Sequence, residues 1–509
     1  MIRRAAIAIA AAVCAAVLAA GCGGSGGQSD ELATAAPADA PLYLESVVRP
    51  EREQSDAINS LASRVGGIDD PGEAIVQQLD AGLAQSGADI NYADDIAPWL
   101  GERASIFFES LSGDPPDFAV AFETTDTGGA QDFLDKVGGA TPDIEQQTYD
   151  GVDYIAEPNG RYAAGIVDDF LVFGSLDALK AAVDASSGSS LSDSSDFADG
   201  VAAVDSDNLG LGYVDSSQAI TAATATMSPL QAQALKPLLA TLASGPATFS
   251  VSATTDAATV DVSLPSGSAL QLAGDDLVGK APADAWFAIG MQDLGSTLGG
   301  ALKTATSSVP GADAAVSEIQ RQSGIDPREA LSWMQDGYEF VGGTSEKTID
   351  LGLVVQSSDS HASSRDIAAL RGKFKADADA ELGPPPHGVD EGFSASAPES
   401  PQAIQVGQFG NRVVGALGPG QPAENALHPD RSLADDSAFK AGEDALGSDF
   451  SPLAFVSLSP FFVVAEKGGA ANDPQYLAAK PYLKKLDYLL VGTSSDSGRT
   501  TARFVVGAK

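Results

Sequence analysis

The chain has 509 residues, of which 44% are hydrophobic and 19% are charged, so it is long enough for two or three folded domains and is not a disordered tail. Its 29 basic and 70 acidic residues give a formal net charge of −41, which disfavours binding to the phosphates of nucleic acids. Two cysteines and three histidines argue against a disulfide framework or a structural zinc site.

The N-terminus has the pattern of an export signal. Arg3 and Arg4 precede an uninterrupted apolar run over residues 5–20. This run is shorter than the roughly 20 residues that a permanent membrane-spanning helix needs. We therefore predict that residues 1–21 are a signal peptide.

The end of that run resembles the lipobox of bacterial lipoproteins. The string is Leu18-Ala19-Ala20-Gly21-Cys22, with Ala19 where Leu is commoner. The resemblance implies cleavage before Cys22, lipid on its thiol, and a position on the extracytoplasmic face of the bacterial cell membrane. Ordinary secretory cleavage that leaves Cys22 unmodified is the alternative. Residues 22–37 are polar and rich in Gly and Ser at their start, which predicts a flexible tether.

The rest of the chain has the pattern of an internal repeat of two copies. The opening segment over residues 36–44 recurs over residues 281–289, and Leu191-Ser192-Asp193 followed by Phe197 recurs as Leu433-Ala434-Asp435 followed by Phe439. We predict an α+β fold of two duplicated halves, residues 38–275 and 276–509. Each half is expected to be a mainly antiparallel sheet with helices packed on one of its faces. Shared composition in an alanine-rich chain is the alternative explanation.

Four β-hairpins follow from alternating apolar and polar residues on both sides of short turns. The predicted turns are Asp168-Asp169, Thr255-Asp256, Gly410-Asn411 and Ser495-Asp496. Strands that cluster in this way favour antiparallel pairing over a regular alternation of parallel strands and helices.

Two motifs resemble the DUF3352 family of exported bacterial proteins. They are Ala38-Asp39-Ala40-Pro41 before the opening strand, and the turn and helix start over residues 433–440. That family has no established activity, so the resemblance implies an exported location and nothing about chemistry.

One motif has the spacing of a catalytic pair. Ser437 and Lys440 fit S-x-x-K, in which a helix places an amine beside a serine hydroxyl. The supporting K-T-G element is absent from the sequence. The structural alternative is that Ser437 caps a short helix, with Phe439 packed inward and Lys440 in solvent.

No cofactor or metal site is predicted. Asp205 and Asp207 begin like a calcium loop, but Ser216 stands where a bidentate Glu belongs. Asp377 and Asp379 form a second cluster of carboxylates. Solvated acidic faces explain both clusters, and weak calcium binding is left open. The three histidines, His361, His387 and His428, are expected in separate exposed loops.

We therefore expect a non-catalytic, lipid-anchored envelope protein that binds an apolar molecule or a protein partner. The exposed sheet face, or the join between the halves, is the expected binding surface. Two alternatives stay open. One is a hydrolase that uses Ser437 and Lys440, and the other is a purely structural or adhesive surface protein.

Overall fold

The computed structural model describes residues 31–86, 89–113, 116–140, 144–225, 245–266, 277–308, 311–345, 349–376, 381–397 and 402–509. The chain divides into two compact units. Unit 1 takes the chain up to Gln271 together with Ser495–Arg503, and unit 2 takes Leu272–Ser494 together with Phe504–Lys509. A short segment near the C-terminus is therefore part of the first unit.

The elements of unit 1 alternate between helices and clustered strands. Its strands are β1 (Leu42–Val47), β2 (Leu100–Gly113), β3 (Pro116–Thr124), β4 (Glu145–Tyr149), β5 (Val152–Ala156), β6 (Ala163–Val167), β7 (Phe170–Gly174), β8 (Gly210–Val214), β9 (Ala247–Ala253) and β10 (Ala257–Pro265). Its helices are α1 (Arg52–Leu61), α2 (Pro71–Ser86), α3 (Tyr92–Asp95), α4 (Thr127–Ala140), α5 (Leu176–Ser187), α6 (Ser195–Ala202) and α7 (Ser216–Ala225).

The remaining elements lie in unit 2, apart from parts of the last two strands. The strands are β11 (Ala285–Met291), β12 (Met334–Gly342), β13 (Asp350–Ser357), β14 (Glu381–Gly383), β15 (Glu391–Ser396), β16 (Gln402–Phe409), β17 (Arg412–Pro419), β18 (Ser451–Ser457), β19 (Leu486–Asp496) and β20 (Arg499–Ala508). The helices are α8 (Leu294–Ser308), α9 (Ala312–Ser323), α10 (Pro327–Trp333), α11 (Ser360–Ala376), α12 (Pro422–Leu427), α13 (Ser437–Leu446), α14 (Leu458–Lys467) and α15 (Pro474–Leu483). The end of β19 and the first half of β20 are counted with unit 1.

The two units have the same strand order. In unit 1 neighbouring strands run β10-β9-β8-β1-β2-β3-β7-β6-β5-β4, and in unit 2 they run β20-β19-β18-β11-β12-β13-β17-β16-β15-β14. Every strand pair with a described register is antiparallel. The expected mixture of helices with mainly antiparallel strands is confirmed.

Three of the four predicted turns lie where the sequence places them, and the fourth lies two residues later. Asp168, at a φ of 51°, begins the turn between β6 and β7, and Gly410, at a φ of 58°, begins the turn between β16 and β17. Thr255 and Asp256 lie between β9 and β10. The last turn is at Ser497-Gly498, both at positive φ, rather than at Ser495-Asp496. Glycine adopts that backbone conformation at little cost, which explains the shift.

In unit 1 helices pack on both faces of the sheet, so the expectation of one covered face is wrong. Along β3, Ala119 and Ala121 belong to one buried cluster, whereas Val120 and Phe122 belong to another. Side chains of α5 complete the first cluster and side chains of α4 complete the second. Successive residues of a strand point to opposite faces, so both faces of this sheet lie in the core.

A local motif joins the start of each unit to a later helix. In unit 1 the Ser190 side chain and Asp193 form a capping box, and the Leu191 amide donates to the Ala36 carbonyl at 2.8 Å. In unit 2 a capping box forms between Ser432 and Asp435, and the Leu433 amide donates to the Ala281 carbonyl at 2.8 Å. The phenylalanines that follow, Phe197 and Phe439, are both buried.

Arg103 and Glu45 form a buried ion pair in unit 1. Arg103 on β2 donates from Nε to Glu45 on β1, and its Nη2 atom donates to Asn208 Oδ1 at 3.0 Å. Tyr43 donates its hydroxyl hydrogen to the other Glu45 oxygen at 2.7 Å. Burial and the Glu45 charge raise the pKa of Tyr43 well above its ordinary value. Arg103 and Glu45 both lie in the interior, where an unpaired charge is strongly destabilising.

The C-terminal segment supplies the partner for a second buried carboxylate. Arg503 donates from Nε and Nη2 to the two oxygens of Asp261 on β10, each at 2.7 Å. Asp261 is 1% exposed, and this two-point geometry is the strongest arrangement for a guanidinium and a carboxylate. Arg499 lies on the same segment and donates to the hydroxyl and the carbonyl of Ser263. The last strand is thus tied to unit 1 by specific side chains.

Replacing Arg503 with Ala is expected to lower the free energy of unfolding by about 3–5 kcal/mol, because Asp261 is left buried without its partner. The measurement is a urea unfolding curve. Arg64→Ala is the matched control, since Arg64 and its partner Asp256 are both largely exposed and such a pair contributes about 1 kcal/mol or less. Equal losses in the two variants would contradict the assignment.

Candidate functional site

An open apolar groove lies between two helices of unit 2. Its volume is about 490 Å³. The lining residues come from α8, from α10 and from the first residue of β12, and all of them are apolar: Leu298, Ala301, Leu302, Ala305, Pro327, Ala330, Leu331 and Met334. Such a lining offers no acid, base or nucleophile, so the groove is suited to binding and not to chemistry.

Helical spacing produces the α8 wall of the groove. Leu298, Ala301, Leu302 and Ala305 recur at intervals of three and four residues, which places them along one face of the helix. At the start of the same helix Leu294 is buried with Trp333 and Val355. The helix is therefore anchored in the core at its first turn, while its later turns leave Leu298 exposed.

Gly295 allows α8 to pack closely against the backbone of α10. A Cβ atom placed on Gly295 would lie 2.0 Å from the Leu331 carbonyl oxygen, so only glycine fits there. The start of α10 is fixed by Asp326, whose carboxylate accepts the Arg328 amide at 2.9 Å, and by Pro327 at the first helical position. These features hold the two walls at a defined separation.

A second, polar pocket of about 540 Å³ lies at the start of α11. It is lined by Asp359, His361, Ser364, Arg365, Ala368 and Glu391. Asp359 caps α11, since one of its oxygens accepts the backbone amides of His361 and Ala362, each at 3.0 Å. His361 therefore lies in a pocket at the start of a helix, and not in the separate loop that the sequence predicts.

The other two histidines lie on different elements. His387 is exposed, and its Nδ1 atom is 3.4 Å from a Glu424 carboxylate oxygen. His428 contacts Phe409 edge to face, with ring centroids 5.6 Å apart. Across the described ranges no group of three or more His, Cys, Asp or Glu side chains could hold a metal ion.

Ser437 and Lys440 lie at the start of α13, and both are exposed. The helix cap is Asp436 rather than the expected Ser437, because one Asp436 oxygen accepts the amides of Ala438 and Phe439 at 2.9 and 3.0 Å. Phe439 is fully buried. Phe439 is packed inward and Lys440 is exposed, as the structural alternative expects, but its expectation that Ser437 caps the helix is wrong.

Asp205, which the sequence places at the start of a calcium-like loop, is bonded to other residues of unit 1. Its oxygens accept the Asp207 amide at 3.0 Å and the Ser252 hydroxyl at 3.3 Å, and one of them is 3.7 Å from Arg503 Nη2. The second predicted cluster, Asp377 and Asp379, lies outside the described residues. Cys22, the signal peptide and the start of the tether lie outside them as well, so lipidation stays a prediction.

Asp350 on β13 is a half-buried carboxyl of unit 2 whose pKa is raised. Its Oδ1 atom is buried without a hydrogen-bond partner, and Oδ2 accepts from Asn425 at 3.1 Å. Burial raises the pKa of Asp350, donation from Asn425 lowers it, and the charge of Asp284 raises it, with a net increase. Because the pKa of this carboxyl is raised in the folded state, its own contribution to stability is greatest at low pH and is lost as the pH rises through that pKa.

Asp350→Asn is therefore expected to stabilise the protein by about 1 kcal/mol at pH 7.5, where the native carboxylate is charged, and to have little effect at pH 3.5. Thermal unfolding midpoints at the two pH values measure the difference. Asp430→Asn, at an exposed position, is the control and should change neither midpoint. A gain for Asp350→Asn that is the same at both pH values would contradict the electrostatic explanation.

None of the helices in the described ranges combines the length and the apolar character that crossing a lipid bilayer requires.

The chain is a mixed helix and strand protein with antiparallel strand pairs and an open apolar groove between two helices of unit 2. The chain belongs to the DUF3352 family, described as "Protein of unknown function (DUF3352)", whose model matches residues 4–446. The family resemblance of the opening motif and of the Leu433 turn is thereby confirmed.

No curated protein matches the chain. Among solved structures it is similar to one titled "Structure of crystal form I of TP0453", at 8% sequence identity and a TM-score of 0.17. The likeness covers 79% of this chain and 97% of that one. At that TM-score it supports no argument about fold or function.

Proposed function

We propose that this DUF3352 protein is an exported, lipid-anchored envelope protein that binds an apolar molecule in the groove between α8 and α10 and does not transform it. The observation that carries the proposal is the groove itself, with eight apolar lining residues and a volume of about 490 Å³. That volume lies within the roughly 300–1,000 Å³ range of small-molecule sites.

The energetics favour a ligand with a hydrocarbon part. Each CH₂ group removed from water contributes about 0.8 kcal/mol, and polar groups would find no hydrogen-bond partner among the lining side chains. Because the groove is open along one side, a polar end of the ligand can remain in water. An acyl chain or a similar elongated apolar molecule satisfies both conditions.

Ligand binding is testable with residues 23–509, which contain every described element, and the fluorescent probe N-phenyl-1-naphthylamine. Ala305→Trp fills the groove and should weaken probe binding at least about tenfold, since it removes the space in which apolar surface is buried. Ala314→Trp, on the exposed surface of α9, is the matched control and should bind normally. Equal probe affinity in the Ala305→Trp variant and the wild type would refute the groove.

The proposed anchor rests on the lipobox resemblance at Cys22. Cys22→Ala is expected to abolish incorporation of labelled palmitate and to leave precursor in the cells. Cys14→Ala, in the predicted signal peptide, is the matched control and should be labelled as the wild type is. Wild-type protein that never incorporates the label would end the proposal of an anchor.

A hydrolase role is not proposed. Ser437 and Lys440 are exposed on α13, and the eight residues that line the groove are apolar. A purely structural or adhesive role is favoured by no particular contact.

We also infer that the two units arose from one duplicated unit, with repeats over residues 38–275 and 276–509. The matching strand orders support this inference. The paired capping boxes at Ser190 and Ser432 support it independently, because each lies 242 residues from the other and each pairs with the start of its own unit. Trp99 and Trp333 add a third correspondence. Each is buried directly before the start of a strand, and the carbonyl of each accepts a backbone amide from a later residue of its own unit.

A further inference from the structure

Two neighbouring helices of unit 2, α14 and α15, expose apolar surface that the groove does not include. Leu458 is the buried residue of α14, and α15 has no buried residue. Nine large apolar side chains are exposed in the described part of the chain, and four of them belong to this pair. They are Phe461 at 40%, Val463 at 44%, Leu477 at 49% and Tyr482 at 50% exposure.

Specific contacts hold the pair in place. Glu466 near the end of α14 accepts hydrogen bonds from Lys480 Nζ and from the Tyr476 hydroxyl, both on α15 and both at 2.9 Å. Asp473 caps α15 by accepting the amides of Gln475 and Tyr476. The exposed apolar side chains are therefore presented on a defined scaffold rather than on a fraying end.

The charge of this segment is opposite to that of the chain. Residues 458–485 contain four lysines and two acidic residues, whereas the whole chain has 29 basic and 70 acidic residues. The two acids, Glu466 and Asp473, are already engaged in the contacts that join and cap the helices. Lys467 and Lys484 are exposed, so this pair of helices carries positive charge as well as exposed aromatic and aliphatic side chains.

We propose that the α14–α15 pair is a peripheral membrane contact that binds a bilayer surface containing anionic phospholipid. Exposed apolar side chains that enter the boundary between headgroups and acyl chains, with lysines beside the phosphates, are the combination that such surfaces bind. The inference goes beyond the proposed function, because it requires neither the lipid on Cys22 nor the groove.

The composition of the patch favours a bilayer over a protein partner. Tyr476 and Tyr482 have a polar tip on an apolar ring, the type of side chain that is enriched at membrane interfaces, and lysine stems extend toward headgroups in the same setting. The acidic remainder of the chain is repelled by an anionic surface. A surface that approaches an anionic bilayer must therefore be locally basic and apolar, and the α14–α15 pair has both properties.

The test measures co-sedimentation of residues 23–509 with vesicles of phosphatidylglycerol and phosphatidylcholine at a 1:1 ratio, and with pure phosphatidylcholine vesicles. We expect binding to the anionic vesicles that weakens as salt is added. Lys484→Gln combined with Lys485→Gln should weaken it about 30-fold. Lys373→Gln combined with Lys375→Gln, on the exposed surface of α11, is the matched control and should bind as the wild type does.

Leu477→Ser combined with Tyr482→Ser tests the apolar part and should also reduce vesicle binding by at least tenfold, at positions too exposed to affect folding strongly. Wild-type protein that binds neither vesicle, or equal losses in the two lysine double variants, would overturn the proposal. Self-association without vesicles that disappears in the Leu477→Ser, Tyr482→Ser variant would also overturn it, by assigning the patch to a second copy.

These outcomes are separate from those of the groove. Ala305→Trp should bind anionic vesicles normally, and the Lys484→Gln, Lys485→Gln variant should bind the naphthylamine probe normally. Loss of both activities in either variant would contradict the assignment of two independent surfaces.

Discussion

Burial of the unit 1 sheet on both faces is the constraint on which the rest of that unit depends. Small residues such as Ala119 and Ala121 alternate with Val120 and Phe122 along β3, and each set has its own helices to pack against. At β3 neither face of the sheet is exposed, so this strand provides no binding surface. In unit 2, two accessible apolar surfaces are on helices, at the α8–α10 groove and on the α14–α15 pair.

These two surfaces differ in the chemistry they offer. The groove is lined by aliphatic side chains and proline, which favours a slender hydrocarbon. The α14–α15 pair carries tyrosines, phenylalanine and lysines, which favours the boundary between the headgroups and the acyl chains of a bilayer. In a chain with such an excess of acids, both surfaces are places where carboxylates are absent or already hydrogen-bonded. Solubility and binding are thus assigned to different parts of the surface.

Local features were predictable from sequence where a residue type leaves the backbone little choice. The Asp168-Asp169 and Gly410-Asn411 turns are examples, because hairpin turns need residues that tolerate positive φ. The cap of α13 was misplaced by one residue, since Asp436 and Ser437 are both good capping residues and only geometry distinguishes them. The groove could not be located, because the spacing of Leu298, Leu302 and Ala305 is the same whether a helix face meets a core or water.

The pairing of Arg503 with Asp261 also has a kinetic meaning. The two residues are 242 positions apart, so unit 1 cannot acquire this bond until almost the whole polypeptide is present. If the chain is exported N-terminus first, as we propose, unit 1 stays incomplete until Arg503 has crossed the membrane, and incomplete units with unpaired strands are prone to aggregate. A truncation that removes Arg503, near the end of the chain, would therefore destabilise unit 1, which otherwise consists of residues up to Gln271.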